Sequence, residues 1–231
     1  VNVALGKPVS ASGDTWAGLP KENLTDGNLT TVTHNLNLEP AFSFVVDLGA
    51  TFVLNNLELF NRTDGCCPDR LTDYIVSVHA DEGPTIGRAV WTANVRTNGS
   101  NSGVSGRDVL LPGLDPTGRL AGRWIKIQAR DNGTARYFQI AELRANAVNW
   151  ASGATVSSSG PTWPQLPASN LTDGNLGTVS HNLDLTNAFA YQVRLTQAVA
   201  FSRIELWNRN DGCCPDRLTH YRVSVHPDLS G

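Results

Sequence analysis

The chain has 231 residues, 17% of them charged and 40% hydrophobic, with a formal net charge of -3. That length holds one large or two modest domains, each able to bury a core of its own. The near-neutral balance supplies no basic stripe, which excludes nucleic acid and anionic membrane as electrostatic partners, and no apolar run is long enough for a transmembrane helix.

The start, "VNVALGKPVS", carries no signal-peptide pattern, and methionine is absent throughout, so a processed protein or an excised fragment is expected. Next come the loop "TWAGLP" around Trp16, the Asx-rich "NLTDGN" from Asn23, and His34. Short segments rich in β-branched and aromatic residues follow. They are "FSFVVDL" (42–48), "LNNLELF" (54–60), "YIVSVH" (74–79), "RAVWTA" (88–93), "RDVLLP" (107–112), "RWIKIQA" (123–129) and "YFQIAEL" (137–143). Several alternate with period two, Tyr74, Val76 and Val78 sharing one face and Ile125, Ile127 and Ala129 another. Gly, Pro, Asn and Asp cluster between them and no stretch sustains helical periodicity. The expected class is all-β, an antiparallel β-sandwich of the jelly-roll kind with its chemistry on loops.

The sequence then repeats itself at a constant offset of 147 residues, Val148 falling opposite Val1. "NLTDGNLTTVTHNLNL" returns as "NLTDGNLGTVSHNLDL" and "ELFNRTDGCCPDRLT" as "ELWNRNDGCCPDRLT". A period this long is a whole domain. Two tandem copies are expected, 1–146 and 147–231. The second stops opposite Pro84 and lacks a counterpart of 85–146, so a continuation past Gly231 is expected.

All four cysteines lie in adjacent pairs, Cys66-Cys67 and Cys213-Cys214, with none left over. That pattern favours an oxidising compartment and therefore a secreted, extracellular protein. Neighbouring Cα atoms are about 3.8 Å apart, below the usual disulfide span of roughly 4.4 to 6.8 Å, so a bridge closes a small ring and makes a rigid apolar plate. Zinc needs about four ligands at wider spacing. A catalytic thiol would be quenched by its neighbour. A redox switch stays open. Sequons stand at Asn23, Asn28, Asn61, Asn98, Asn132 and Asn170; since Asn23 and Asn61 fall inside the proposed functional segments, they read as incidental and favour a source that does not glycosylate.

In each copy 27 residues separate a histidine from an Arg-x-Asp, and five more separate the Asp from a second arginine. The sets are His34, Arg62, Asp64 and Arg70, and His181, Arg209, Asp211 and Arg217. Arginine forks donate, and a neutral imidazole nitrogen donates or accepts, which suits the vicinal hydroxyls of a sugar packed on the disulfide plate. Asp64 or Asp69 would hold the arginines. Repetition of the whole set argues against ordinary solvated loop ion pairs. His79 and His226 fall at strand ends and read as structural.

These residues resemble the fucose-binding motif of the F-type lectins (fucolectins), whose fold is a jelly roll shared with the discoidin domains of coagulation factors. "NVALGKPVSASG" is similar to the start of such domains. The resemblance implies that His34, Arg62 and Arg70 hydrogen-bond the hydroxyls of terminal α-L-fucose while Cys66-Cys67 packs on its ring. His181, Arg209, Arg217 and Cys213-Cys214 would do the same in the second copy, making the chain bivalent toward fucosylated glycans. Both intervals are one residue longer here than in the family pattern; Gly65 and Gly212 account for the second. The resemblance also implies a structural Ca2+ held by Asn23, Asp26, Asn28, Thr31 and a late acid, Glu142, with Asn170, Asp173 and Asn175 in the second copy, where the counterpart of Glu142 is missing. Trp16 and Trp163 are further candidates to line the sugar site.

Rival classes are a glycosidase, a discoidin-type adhesion module, and an accessory carbohydrate-binding module of a larger glycan-active enzyme. A glycosidase needs a carboxyl of raised pKa, and every aspartate of the motif sits beside arginine, which lowers it. No enzymatic activity is expected.

Overall fold

The computed structural model describes residues 1–97, 106–110, 120–184, 188–196, 199 and 204–227. Its chain divides into two compact units, Val1–Val148 and Asn149–Gly231. No helix among the described residues is long and apolar enough to cross a membrane.

The first unit is all-β. Its strands are β1 (Val9–Ala11), β2 (Thr33–His34), β3 (Ser43–Phe60), β4 (Tyr74–His79), β5 (Ala89–Val95), β6 (Arg107–Leu110), β7 (Leu120–Ala129), β8 (Gln139–Ile140) and β9 (Glu142–Ala147). All pairings are antiparallel. The main sheet runs β1-β3-β7-β4-β5, with β6 and β9 added on β3, while β2 and β8 pair apart from it.

The segments expected as two strands, 42–48 and 54–60, are one. The intervening Asp-Leu-Gly-Ala-Thr reads as a turn but only bends the strand. Gly49 takes a left-handed φ of +83°, its N–H donates to the Asp47 carboxylate at 2.8 Å, and the register with β7 slips between Asp47 and Phe52. β3 thereby lies beside β1 with its first half and beside β6 and β9 with its second, which lets one strand frame both ends of the core. The segment expected at 137–143 is instead divided, because the Ala141 N–H leaves its neighbours to donate to the Phe60 carbonyl at 2.8 Å. β1 and β2 were too short to leave a periodic signal, and residues 111–112 of the fifth expected segment lie outside the described residues.

The alternation read from sequence is the core. Phe44, Val46, Tyr74, Val76, Val78, Ile125 and Ile127 are fully buried. Phe42, Phe44, Tyr74 and Phe138 form an aromatic cluster with centroid separations of 5.0, 6.2 and 6.1 Å along the chain Phe42–Phe44–Phe138–Tyr74. The Tyr74 hydroxyl, which burial would otherwise leave unpaired, donates to Asp108 at 2.5 Å, and Arg96 Nε donates to the same oxygen at 2.7 Å. Arg96 also donates to the Leu71 carbonyl at 3.2 Å, and so ties the core to the loop that follows β3.

In the second unit β10 (Thr155–Ser158) pairs with β11 (Tyr191–Arg194). The register of Val156 with Val193 repeats that of Val9 with Val46. The counterpart of β4 forms no strand, and Tyr221, Val223 and Val225 are 58, 48 and 62% exposed where Tyr74, Val76 and Val78 are at 0%.

Candidate functional site

Three segments of the first unit meet around His34. The "TWAGLP" turn is bonded to its backbone on one side, Trp16 N–H donating to the His34 carbonyl and His34 N–H to the Leu19 carbonyl, both at 3.1 Å. On the other side β8 pairs with β2, setting Gln139 directly opposite His34. The loop after β3 supplies Arg62 and Arg70.

That loop is shaped by its own sequence. The Asn61 side chain donates to the Pro68 carbonyl at 2.8 Å and accepts the Arg62 N–H at 2.9 Å, which closes the loop at its neck. Gly65 has φ +83° and Cys67 φ +48°. The glycine holds a left-handed conformation that costs other residues about 1 kcal/mol or more. Pro68–Arg70 then forms a 3-10 turn in which the Arg70 N–H donates to the Cys67 carbonyl at 3.2 Å. Leu71, fully buried, pins the end of the loop.

The side chains converge as the spacing implied. Arg62 is nearly buried, with Nε and Nη2 on the two Asp64 oxygens at 2.7 and 2.5 Å and Nη1 on Gln139 Oε1 at 2.7 Å. Asp64, not Asp69, takes the holding role for Arg62. Arg70 Nη1 lies 2.9 Å from His34 Nε2, and its guanidinium stacks 4.8 Å above the Tyr137 ring. His34 Nδ1 is 2.5 Å from the Asn35 carbonyl, which can only accept. Nδ1 therefore carries the proton and Nε2 is the acceptor for Arg70. Burial, and then the cations Arg70 and Arg62, hold the imidazole pKa below its usual value, against the Asn35 carbonyl that favours the charged form. The hydrogen bonds from Arg62 bring the Asp64 carboxyl down to about 2, and Arg209 does the same for Asp211. Neither aspartate has the raised pKa a general acid for glycoside cleavage requires.

Trp16, Leu19, His34, Arg62, Arg70 and Tyr137 line a cavity of about 320 Å³. The Cys66–Cys67 disulfide is present and half exposed on the same loop, outside that lining. Trp16, 48% exposed, forms the cavity's outer lip. Leu19, Tyr137 and Gln139 escaped the sequence reading. Tyr137 and Gln139 sit in a segment that reads as an ordinary strand, and only its pairing with β2 brings them to the histidine.

The second unit reproduces the short-range part. Cys213–Cys214 is a disulfide, Arg209 Nε and Nη2 donate to Asp211 at 2.7 and 2.5 Å, and Arg217 Nη1 is 2.8 Å from His181 Nε2. Trp163 N–H donates to the His181 carbonyl at 3.0 Å and its ring is 46% exposed. The offset of 147 carries Tyr137 and Gln139 to positions beyond residue 231.

The residues proposed for a cation fall elsewhere in the first unit. Glu142 is fully buried; its Oε2 accepts the Gly27 N–H at 3.2 Å while Oε1 has no hydrogen-bond partner. Burial pushes its carboxyl up to about 7, with the Asp26 charge adding to the effect. Asp26 accepts the Asn28 N–H at 2.7 Å and the Thr31 hydroxyl at 2.8 Å, and Thr31 also donates to the Asn28 carbonyl at 2.7 Å. Asn23 turns its amide to the Val32 carbonyl at 2.9 Å. An orphaned buried carboxylate oxygen beside a second carboxylate and a loop of carbonyls fits a hard cation such as calcium. Asp173, Asn175, Thr178 and Asn170 repeat the loop's bonds in the second unit. Among the described residues no three His, Cys, Asp or Glu side chains gather as a metal cluster.

An antiparallel β-sandwich with its polar site on end loops is the galactose-binding-like class of jelly roll, the fold of discoidin domains and many carbohydrate-binding modules. The chain belongs to the F5/F8 type C family in its "NedA-like, galactose-binding domain" form, whose family model matches residues 23–111 and 170–231. No curated protein matches. Among solved structures, a fucose-binding module of Streptococcus pneumoniae is 21% identical and superposes with a TM-score of 0.53, over 64% of this chain and 99% of that one. The lectin domain of lectinolysin, solved with Lewis b antigen, is 22% identical with a TM-score of 0.53, over 64% and 98% of the two chains. Chitosan-binding module 1 of a chitosanase/glucanase from Paenibacillus sp. IK-5 is 19% identical with a TM-score of 0.51, over 64% and 99%. These likenesses concern the fold.

Proposed function

We propose that the chain is a glycan-binding protein of the F-type lectin kind that takes a terminal α-L-fucose in the cavity around His34. The observation that carries this reading is the convergence of one neutral imidazole and two arginines, from segments far apart in sequence, on one partly apolar cavity. Arg62 and Arg70 donate to sugar oxygens and His34 Nε2 accepts a hydroxyl proton. Trp16, Leu19 and Tyr137 cover the apolar face and the deoxy methyl group, with the disulfide as a floor beside them. The fucose-binding module and the Lewis b complex among the structural neighbours support the choice of sugar; the chitosan-binding module marks the breadth of ligands the fold serves.

The repeat supports reading the two units as tandem domains of this kind, each with its own motif, in a secreted protein that gains avidity on multivalent fucosylated glycans. A calcium ion in the first unit would be held by Glu142, Asp26 and carbonyls of the Asn23–Thr31 loop. It would neutralise the two carboxylates, and these residues then fix the loop to β9. Replacing Arg62 and Arg209 together with alanine removes an arginine fork from each site, so retention on immobilised fucosylated glycan is expected to vanish. Retention equal to that of the unaltered protein overturns the reading.

A further inference from the structure

We infer that Gln139 is a positioning residue of the fucose site, a buried side chain that helps fix the distance between the arginine fork and the disulfide floor; this rests on the reading of that cavity given above. Gln139 is fully buried, on β8, with His34 as its cross-strand partner. Its carboxamide has two different ends and uses both. Oε1 accepts from Arg62 Nη1 at 2.7 Å, and Nε2 donates to the Cys67 carbonyl at 2.6 Å. The same carbonyl accepts the Arg70 backbone N–H at 3.2 Å. One amide thus joins Arg62, the vicinal disulfide and the turn that aims Arg70, and its own backbone is registered on His34.

The loop's internal bonds do not involve this residue. The same geometry recurs in the second loop, where Cys214 has φ +49°, Gly212 has φ +80°, and the Arg217 N–H donates to the Cys214 carbonyl at 3.2 Å. There Arg209 donates to Asp211, which also accepts the Cys213 N–H from within its own loop. In the first unit Gln139 adds the bond across, from the arginine fork to the cysteine carbonyl. Gln139 therefore acts on the relation between parts whose own bonds it does not make. A sugar touching both the fork and the floor senses that relation, because a displacement of about 1 Å is enough to break a hydrogen bond.

The amide's polarity separates this role from simple packing. Gln139→Leu keeps the volume and removes both bonds, whereas Gln139→Glu keeps an acceptor for Arg62 and turns a second oxygen toward the Cys67 carbonyl. A residue that only fills space tolerates leucine, and one that only neutralises Arg62 tolerates glutamate. The test is made in the full chain with Arg209→Ala, so that titration with L-fucose reports the first site alone. Both substitutions are expected to weaken fucose binding about tenfold or more. Thermal midpoints should stay close to the parent's, since the bonds that close the loop do not involve the residue. In the sugar-free protein the Arg62 Nη1–H protons, which lose their Gln139 partner in the leucine variant, are expected to exchange with solvent at least about tenfold faster there. Unchanged affinity in either variant, or unchanged exchange in the leucine variant, overturns the role. Failure of the Arg209→Ala parent itself to bind fucose removes the sugar reading only, and the exchange rates then decide on Gln139.

Discussion

The loops Asn61–Arg70 and Asn208–Arg217 have nearly the same sequence and the same internal geometry, yet their surroundings differ completely. Both show a left-handed second cysteine, a 3-10 turn over Pro-Asp-Arg, an arginine clasped by an aspartate two residues on, and an arginine against a histidine. Around the first stand Tyr137 beside Arg70, Gln139 bonded to Arg62, and a closed core beneath. The motif thus encodes pairwise placements by itself, whereas the wall that encloses the cavity comes from the turn carrying Trp16 and Leu19 and from Tyr137, just before β8. Local sequence writes the contacts and tertiary structure makes them selective.

The sharpest way to break that comparison is to damage the enclosure from inside. Phe138 is fully buried between Phe44 and Tyr74, and its neighbours Tyr137 and Gln139 carry the site. Phe138→Ala is expected to cost about 3–5 kcal/mol of first-unit stability. Denaturant unfolding followed by amide signals should move for Ile125 and Ile127 and stay in place for Val156 and Val193. A coincident shift in both units would mean that they are not independent. Calcium offers a smaller and reversible probe, since Glu142 is a residue of the first unit. Calcium at about a hundred times its dissociation constant is expected to stabilise the first unit by about 2.7 kcal/mol over the chelated protein. A calorimetric scan in which chelator leaves the first transition unmoved would refute that site.

The smallest effect expected is on pH. His34 has a folded-state pKa held below the ordinary 6.5 because its neutral form is the one the site accommodates. The stabilisation from that neutral ring is fully present above pH 6.5 and is lost as pH falls through the lowered value. Protonation also sets a third cation between Arg62 and Arg70 and removes the acceptor for sugar. Fucose affinity measured from pH 7.5 downward should hold level through pH 6.5 and fall, by at most about tenfold per pH unit, only as pH drops through the lowered folded-state value. A level profile down to pH 4.5 would show that the imidazole does not accept.

Much of this was legible in the sequence because it is written at short range. Alternation in Tyr74–His79 and Arg123–Ala129 has a period of two that any half-buried strand must show, and it located the core faces correctly. The repeat weighted His34, Arg62 and Arg70 above chance ion pairs, and all three meet. What stayed hidden depends on pairing between distant segments. Gln139 looks like any polar residue in a strand until β8 lies on β2. Gly49 looks like the end of a strand because the same left-handed residue serves both a turn and a bulge, and only the neighbours in β7 decide which it is. Asp64 and Asp69 flank the cysteines alike, and the turn at Pro68 alone separates their roles.

Asn61 carries a practical consequence for making the protein. Its sequon, Asn-Arg-Thr, is accessible while the chain is nascent, but in the folded unit the residue is 1% exposed and its amide closes the neck of the binding loop. A glycan attached there during secretion from eukaryotic cells would occupy the nitrogen that bonds the Pro68 carbonyl and would prop the loop open. Material from such a host would divide into a modified, inactive fraction and an unmodified, active one, separable by mass. Bacterial expression avoids the division altogether.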